Sequence, residues 1–159
     1  MSNPNGARGA RAERDLVVWL RANGWPDACR ARGEGSVDRG DIGGIPRTAI
    51  QVKAAKRPEY VMDRLRAAQQ GALEQAHGRR PIAVVRLPGV TDPGQWWAAT
   101  PVVGDVATNV TVQGIAVGPR CSARTIHLAI DLNGAAWRDG WWITTVSRLF
   151  AALPGAVTS

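Results

Sequence analysis

The stretch Gly40-Asp41-Ile42-Gly43-Gly44-Ile45-Pro46-Arg47-Thr48-Ala49-Ile50-Gln51-Val52-Lys53 indicates two short β-strands joined by a tight turn. The residues that favour the turn are Gly43, Gly44 and Pro46. The residues that favour the second strand are β-branched and spaced by two: Thr48, Ile50 and Val52. This hairpin carries an acid, an amide and a lysine close together, and the rest of the chain is interpreted around it.

Three polar side chains of the hairpin are expected to meet on one face of the sheet. Successive strand residues point to opposite faces, so Gln51 and Lys53 share a face, and Asp41 lies across the hairpin from them. A carboxylate and an amide oxygen are ligands for Mg²⁺, and a nearby ammonium can orient a water or stabilise developing charge. The cluster therefore suits metal-assisted phosphodiester hydrolysis. The alternative is an ordinary hairpin whose polar face is solvated.

The positive charge of the chain is concentrated in the half that contains the hairpin. Residues 1–90 contain 16 Lys and Arg against 9 Asp and Glu, whereas residues 91–159 contain 4 against 4, for a formal net charge of +7. Clustered arginine favours a polyanionic partner, because phosphates bind such a surface. An arginine bias from a GC-rich coding source is the alternative. Beside the hairpin, the distribution favours nucleic acid.

The remaining composition indicates one intracellular, soluble domain with an appendage at most. At 159 residues the chain is long enough for a substantial core. Its two cysteines, Cys29 and Cys121, do not form a disulfide framework, and neither stands beside a histidine at zinc-like spacing. No signal-peptide segment and no long apolar run is present, so a cytoplasmic location is expected.

A helical pattern from about Gly9 to Asn23 precedes the hairpin. Its apolar stripe is formed by Leu16, Val17 and Leu20. Glu13 lies on the same face, three and seven residues before two of these positions. A lone glutamate there is usually a surface-edge residue. Because Glu is rarely buried without a partner, the alternative is that Glu13 points toward the cluster of Asp41 and Gln51.

The spacing of Asp41 and Gln51-Val52-Lys53 resembles the core motif of the PD-(D/E)XK nuclease superfamily, an Asp followed along the chain by an acid, any residue and a Lys. Gln51 replaces the commoner acid, as it does in some branches of that superfamily. The segment Ala10-Arg11-Ala12-Glu13-Arg14-Asp15-Leu16-Val17, followed by Leu20-Arg21-Ala22-Asn23-Gly24-Trp25, is similar to the opening of archaeal-type Holliday junction resolvases. The resemblance covers about residues 8–88.

The resemblance implies roles for further residues. Glu13 would join the metal site, and Arg14 would contact phosphate. Ser36, in the Gly-rich segment 33–40, matches a serine that assists at the active site. Tyr60 and either Gln69 or Gln70 match a Tyr and a Gln of the helix after the hairpin.

The predicted architecture is an α/β, restriction-endonuclease-like mixed central β-sheet flanked by helices. Residues 1–8 are predicted to form a disordered basic tail, 9–88 a nuclease core, and 89–159 a β-rich extension with a closing helix, in the same domain or as a dimerisation element. The core contains a first strand at about 25–32, a helix at 59–76 and a strand apolar on both faces at 82–87. In the extension we predict strands at 96–99 and within 102–130, including Thr125–Ile130, and a helix from Ile143 to Leu153.

The function expected from these observations is a Mg²⁺-dependent endonuclease, with Mn²⁺ as a plausible substitute, that cuts four-way DNA junctions as a homodimer. Its metal ligands would be Glu13, Asp41, Gln51 and the Val52 carbonyl, with Lys53 helping to activate water and Ser36 assisting. Its DNA-binding residues would be Arg8, Arg11, Arg14, Arg30, Arg32, Lys56, Arg57, Tyr60 and Gln69. The alternatives are another PD-(D/E)XK endonuclease (restriction-like, Mrr-like or transposase-associated) and a non-catalytic DNA-binding module of the same fold.

Overall fold

The computed structural model describes residues 4–31, 40–101, 115–118 and 120–155. Its helices are α1 (Pro4–Ala22), α2 (Val61–Glu74), α3 (Ala123–Asn133) and α4 (Val146–Ala152). Its strands are β1 (Cys29–Arg30), β2 (Ile42–Gly43), β3 (Thr48–Ala54), β4 (Arg80–Arg86), β5 (Trp97–Pro101), β6 (Ile115–Ala116), β7 (Ala136–Arg138) and β8 (Trp141–Thr145). None of the helices in these ranges is long and apolar enough to cross a lipid bilayer.

The described strands form one mixed sheet in the order β1-β2-β3-β4-β5-β8-β7-β6. The β3–β4 and β6–β7 pairs are parallel, and the other neighbouring pairs are antiparallel. Helix α2 connects β3 to β4, which is the kind of crossover that a parallel pair requires. The predicted fold class, a mixed sheet flanked by helices, is confirmed.

Helices cover both faces of the central strands. On one face, α1 and α4 pack against alternate residues of β3 and β4: Ile50, Val52, Ile82 and Val84. On the other, α2 and α3 pack against residues of β4 and β5: Ala83, Val85, Trp97 and Ala99. Strand β4 is buried on both sides for this reason, which explains its continuous apolar run and confirms the prediction of a central strand there.

Helix α1 begins earlier than the sequence pattern predicts. The predicted tail over residues 1–8 is wrong from Pro4 onward, because α1 includes Pro4 to Arg8. Proline is well suited to a first helical position, since its φ is already helical and its missing N–H has no partner there in any helix. The basic residue Arg8 is therefore held on a helix.

The segment Thr125–Ile130, predicted as a strand, lies within helix α3. The Ser122 hydroxyl accepts a hydrogen bond from the Thr125 N–H (3.2 Å) and caps the helix start. The buried residues Ile126, Ala129 and Ile130 are spaced by three and four, so they form one helical face. Of the remainder of the predicted β-segment, residues 102–114 and 119 lie outside the described residues.

The C-terminal half extends the same sheet as the N-terminal half. Strand β5 pairs with β4, and β8 pairs with β5, so residues on both sides of position 88 share one sheet and its cores. The closing helix is shorter than predicted, because Trp141–Thr145 forms β8 and α4 begins only at Val146. Trp141 and Trp142 are each only 9% exposed and belong to these cores.

Gly44, in the turn between β2 and β3, provides a test of the hairpin. Its φ is +80°, and a Cβ there would lie 1.8 Å from the Asp27 carbonyl oxygen. Gly78 has the same φ of +80°, but nothing lies within 4 Å of its Cβ position. We expect Gly78→Ala to lower the free energy of unfolding by about 1–2 kcal/mol, the cost of the left-handed backbone alone.

Gly44→Ala should lower the free energy of unfolding by roughly 1–3 kcal/mol more than Gly78→Ala does, because the chain around Asp27 must also move. Urea denaturation of the two variants compares these costs directly. Equal losses of stability would contradict the close packing of the turn against Asp27.

Candidate active site

Asp41 is held in place by its backbone and by its side chain. Its N–H donates to the Ile50 carbonyl (2.7 Å), and its own carbonyl accepts from the Ala31 N–H (2.9 Å). Its Oδ2 accepts hydrogen bonds from the Gln51 Nε2 (2.6 Å) and the Val52 N–H (2.7 Å). The expected contact of Asp41 with Gln51 is therefore formed, together with a backbone contact to β3 that the spacing alone does not predict.

Gln51 is buried between β3 and helix α2. It is 6% exposed, and its Oε1 has no hydrogen-bond partner in the described part of the chain. Gly71 of α2 leaves the space for this amide, since a Cβ at Gly71 would lie 3.1–3.2 Å from the Gln51 Cγ, Cδ and Oε1. One end of the amide is thus fixed on Asp41, while its oxygen end is buried against α2.

Glu13 projects from α1 toward the same region and forms an ion pair with Arg30 of β1. The Glu13 Oε2 lies 2.6 Å from the Arg30 Nη2 and accepts a hydrogen bond from the Arg30 Nε at 2.8 Å. The Glu13 side chain is 18% exposed and the Arg30 side chain 41%, so the carboxylate end of this pair is the more sheltered from solvent. Glu13 is therefore the inward-facing glutamate that the helical pattern allows, and its charge is balanced by arginine.

A cleft of about 510 Å³ lies between the first half of α1, the carboxyl end of β3 and the start of α2. Four predicted metal-site or catalytic residues line it: Glu13, Asp41, Val52 and Lys53. Gln51 does not line the cleft and reaches it only through its bond to Asp41. The charged residues of the lining are two acids and five bases, namely Arg8, Arg30, Lys53, Lys56 and Arg64. The cleft thus has an excess of three positive charges.

Lys53 differs from the other charged residues at the floor of this cleft. It is half-buried at the end of β3, and its ammonium makes no hydrogen bond or ion pair with any residue that the structure describes. Glu13 and Asp41, by contrast, are both engaged by neighbouring groups. No local ion pair occupies the Lys53 ammonium, so it is available to a ligand in the cleft.

The predicted DNA-binding residues are only partly brought together. Those that line the cleft are Arg8, Arg30, Lys56 and Tyr60. Arg11 lines an adjoining groove, whereas Arg14, Arg57 and Gln69 line neither. Arg32 and Ser36 lie outside the described residues. Arg64 was missed, although its spacing of four from Tyr60 places both side chains on one side of a helix and identifies it as a candidate.

The oxygen donors around the cleft fit a hard cation such as Mg²⁺. The cleft is lined by two carboxylates and by Val52, which has a backbone carbonyl, and the Gln51 amide lies behind Asp41; all are ligand types that Mg²⁺ accepts. The buried Gln51 Oε1 has no partner in the described part of the chain, and a half-turn about the Cγ–Cδ bond would bring it beside the Asp41 carboxylate, where a shared cation would replace the hydrogen bond that Nε2 now donates. In the described ranges, no group of three or more His, Cys, Asp and Glu side chains is arranged to hold a metal ion.

Comparison of the chain with known protein families, with curated proteins and with solved structures gives no match. A functional interpretation therefore depends on the side chains of the cleft and on the elements that position them.

The contact between Gln51 and Gly71 can be tested by a double-mutant cycle. In a helix, Gly→Ala normally raises stability by up to about 1 kcal/mol. Here the added methyl group would displace an amide that is held on Asp41, so we expect Gly71→Ala to lower the free energy of unfolding by about 1 kcal/mol.

In a Gln51→Ala background the obstacle is absent, and Gly71→Ala should stabilise the protein. Denaturant unfolding of the four proteins gives both values. A stabilising Gly71→Ala in both backgrounds would be inconsistent with a tightly packed amide.

Proposed function

We propose that the chain is a Mg²⁺-dependent DNA endonuclease of the PD-(D/E)XK kind, similar to the archaeal-type Holliday junction resolvases. The observation that carries the proposal is the cleft in which Glu13, Asp41, Val52 and Lys53 adjoin a surplus of basic side chains. Hydrolysis of a phosphodiester requires a place for a cation, a group beside the attacking water and counter-charges for the phosphates. The cleft contains a candidate for each.

The order of the secondary structure also supports this proposal. A helix bearing Glu13 is followed by β1, by β2 directly after Asp41, by β3 with Gln51 and Lys53, by α2 and by β4. This is the order of elements that the sequence predicts for the nuclease core over residues 9–88. Motif residues that are far apart in sequence thereby meet at one end of β3. If the motif matched only by chance, its residues would have no reason to lie together.

Each group of the chain has a defined part in the proposed reaction. Glu13, Asp41, Gln51 and the Val52 carbonyl would hold Mg²⁺ or Mn²⁺, which when bound lowers the pKa of a water and polarises the phosphate. Lys53 would orient that water and stabilise charge on the phosphoryl oxygens. The water oxygen would bond to phosphorus as one of its protons passes to solvent, and the phosphorus–oxygen ester bond would break as the leaving alkoxide oxygen takes up a proton from solvent. Arg8, Lys56 and Arg64 would bind the flanking phosphates.

The proposed substrate and assembly follow from the resemblance. Symmetric cleavage of a four-way junction requires two active sites related by a twofold axis, so we propose that the chain acts as a homodimer. We also propose that it acts in the cytoplasm. Another endonuclease of the same superfamily, restriction-like, Mrr-like or transposase-associated, would use the same cleft on linear duplex DNA.

A non-catalytic DNA-binding module is the second candidate, and two contacts favour it. The Asp41 Oδ2 already accepts hydrogen bonds from Gln51 and Val52, and Glu13 is already paired with Arg30. A fold stabilised in this way has satisfied carboxylates without a cation. The basic lining of the cleft would then bind phosphates without hydrolysing them.

Lys53→Ala tests catalysis, and Lys56→Ala is its matched control in the same cleft. The substrates are labelled four-way junction, linear duplex and single strand, each with and without Mg²⁺. We expect Lys53→Ala to slow Mg²⁺-dependent cleavage by at least about 100-fold while DNA affinity changes little, because the ammonium acts in the transition state.

Lys56→Ala should weaken binding and reduce cleavage only in proportion. Parallel loss of binding and cleavage in Lys53→Ala would indicate that Lys53 only binds phosphate. Absence of Mg²⁺-dependent cleavage of all three substrates by the unmodified chain would contradict the proposed endonuclease.

Gln51→Glu separates the endonuclease from the non-catalytic module. If the amide oxygen is a metal ligand, a carboxylate at this position should lower the Mg²⁺ concentration needed for half-maximal cleavage and make the melting temperature rise with Mg²⁺. Gln51→Ala should raise the Mg²⁺ requirement. In a module without a cation, Gln51→Glu would bury a second carboxylate beside Asp41 and destabilise the fold whether or not Mg²⁺ is present.

A further inference from the structure

A second groove adjoins the cleft at the end of the central sheet. It has a volume of about 410 Å³, and Arg8 and Lys56 line both this groove and the cleft, so the two are continuous. Arg11 and Arg86 complete its charged lining, which contains no Asp or Glu. We name it the Arg86 groove. It therefore presents four positive charges beside a cleft that already has a positive excess.

The Arg86 groove lies one strand away from the proposed active site. Arg86, the last residue of β4, pairs with Ala54 at the end of β3, directly after Lys53. Neighbouring strands are about 4.8 Å apart, so a chain that leaves the cleft across the carboxyl ends of β3 and β4 enters the groove at once. The first turns of α1 line both depressions, through Arg8 in each and Arg11 in the groove.

The Arg86 guanidinium contacts two neighbouring side chains. It lies 5.5 Å from the centroid of the Trp96 ring, and its Nη1 lies 3.6 Å from the Asp15 Oδ2. The side chain is 22% exposed, so it is supported on most sides but still open to the groove. A planar guanidinium held in this way is suited to phosphate, because its parallel N–H groups can donate to two oxygens of one anion.

Asp15 is shared between two arginines of the groove. The same Oδ2 lies 3.8 Å from the Arg11 Nε, so one carboxylate faces two guanidinium groups at distances too long for strong hydrogen bonds. Such partly exposed pairs contribute little stability. A phosphate in the groove can therefore replace or supplement Asp15 as the counter-charge of Arg11 and Arg86.

We propose that the Arg86 groove is a second phosphate-binding site, which binds the backbone of the nucleic acid strand where it leaves the cleft. In it, Arg86 and Arg11 bind phosphate, and Asp15 orients both guanidinium groups while competing with the ligand. The path of the nucleic acid strand, from the cleft into the groove, rests on the proposed function. It requires only nucleic acid binding, not hydrolysis, of the chain.

The experiment measures binding of a short fluorescent duplex, and of one of its single strands, by anisotropy in EDTA over a range of salt concentrations. Arg86→Ala and Arg11→Ala should each reduce the slope of log affinity against log salt by about 0.9 on the duplex and about 0.7 on the single strand. At about 0.15 M salt the loss of one such contact corresponds to roughly fivefold weaker duplex binding.

Arg47→Asn is the control for the loss of one positive charge. Arg47 precedes β3, roughly 23 Å from Ala54 at about 3.3 Å per residue. Its φ is +56°, a conformation that asparagine tolerates. We expect its salt slope to match that of the unmodified chain. Arg86→Lys, which keeps the charge without the planar fork, should keep most of the slope, and thermal melts identify any variant that is poorly folded.

Asp15→Asn is expected to strengthen DNA binding, and damage to the fold would not produce such a gain. Removing the competing carboxylate should tighten binding roughly two- to fivefold, since each exposed pair competes only weakly. Asp131→Asn, at an exposed position of α3, makes the same change in net charge and should have a smaller effect.

The outcomes test the groove assignment separately from the proposed nuclease activity. Unchanged slopes in Arg86→Ala and Arg11→Ala, or an Asp15→Asn affinity no higher than that of Asp131→Asn, would overturn the groove assignment even if Mg²⁺-dependent cleavage is found. No detectable binding to either DNA would overturn it as well. The expected slopes without any cleavage would support the groove and overturn only the proposed catalysis.

Discussion

The two hydrogen bonds that the Asp41 carboxylate accepts from β3 are the constraint on which the site depends. Hydrogen bonds to a charged acceptor contribute roughly 1.5–3 kcal/mol each, more than bonds between neutral groups. Because the donors are the Gln51 amide and the Val52 N–H, they tie the start of β2 to the middle of β3. They also bring an acid to the strand that carries Lys53. The stability of the hairpin and the composition of the cleft thus have one cause.

The second feature of this end of the sheet is that its carboxylates are partnered within a surplus of positive charge. Each carboxylate near the cleft has partners: Glu13 is paired with Arg30, Asp15 faces two arginines, and Asp41 accepts from β3. Partnering lowers the cost of placing acids beside a crowded basic surface. It also means that any cation or phosphate must compete with contacts that already exist. Binding at this surface is therefore expected to be sensitive to salt and to single charge changes.

The C-terminal half supports the site from a distance. Strands β5 and β8 continue the sheet beyond β4, and Trp96 and Trp97 are buried on its opposite faces. Trp96 also lies under the guanidinium of Arg86. Trp141 and Trp142 also contribute to the two cores. Exposed apolar side chains in this half occur instead on α3, at Leu128 and Leu132.

Local patterns in the sequence predict the elements of the fold and nominate the candidate site residues. Alternation and turn residues predict the hairpin, a run apolar on both faces predicts β4, and helical spacing predicts α1 with Glu13 either at its surface edge or pointing inward, because each pattern depends on neighbours in the chain. Tertiary contacts, by contrast, pair Arg30 with Glu13, leave space for Gln51 at Gly71, and bring Arg86, which contacts Asp15, to the groove beside the cleft. The helical state of α3, whose middle was predicted as a strand, also depends on tertiary contacts. Its apolar residues fit both the period of a strand and that of a helix, and the Ser122 cap and the packing against the sheet favour the helix. These contacts join residues distant in sequence, and no local pattern encodes which helix packs on which strand.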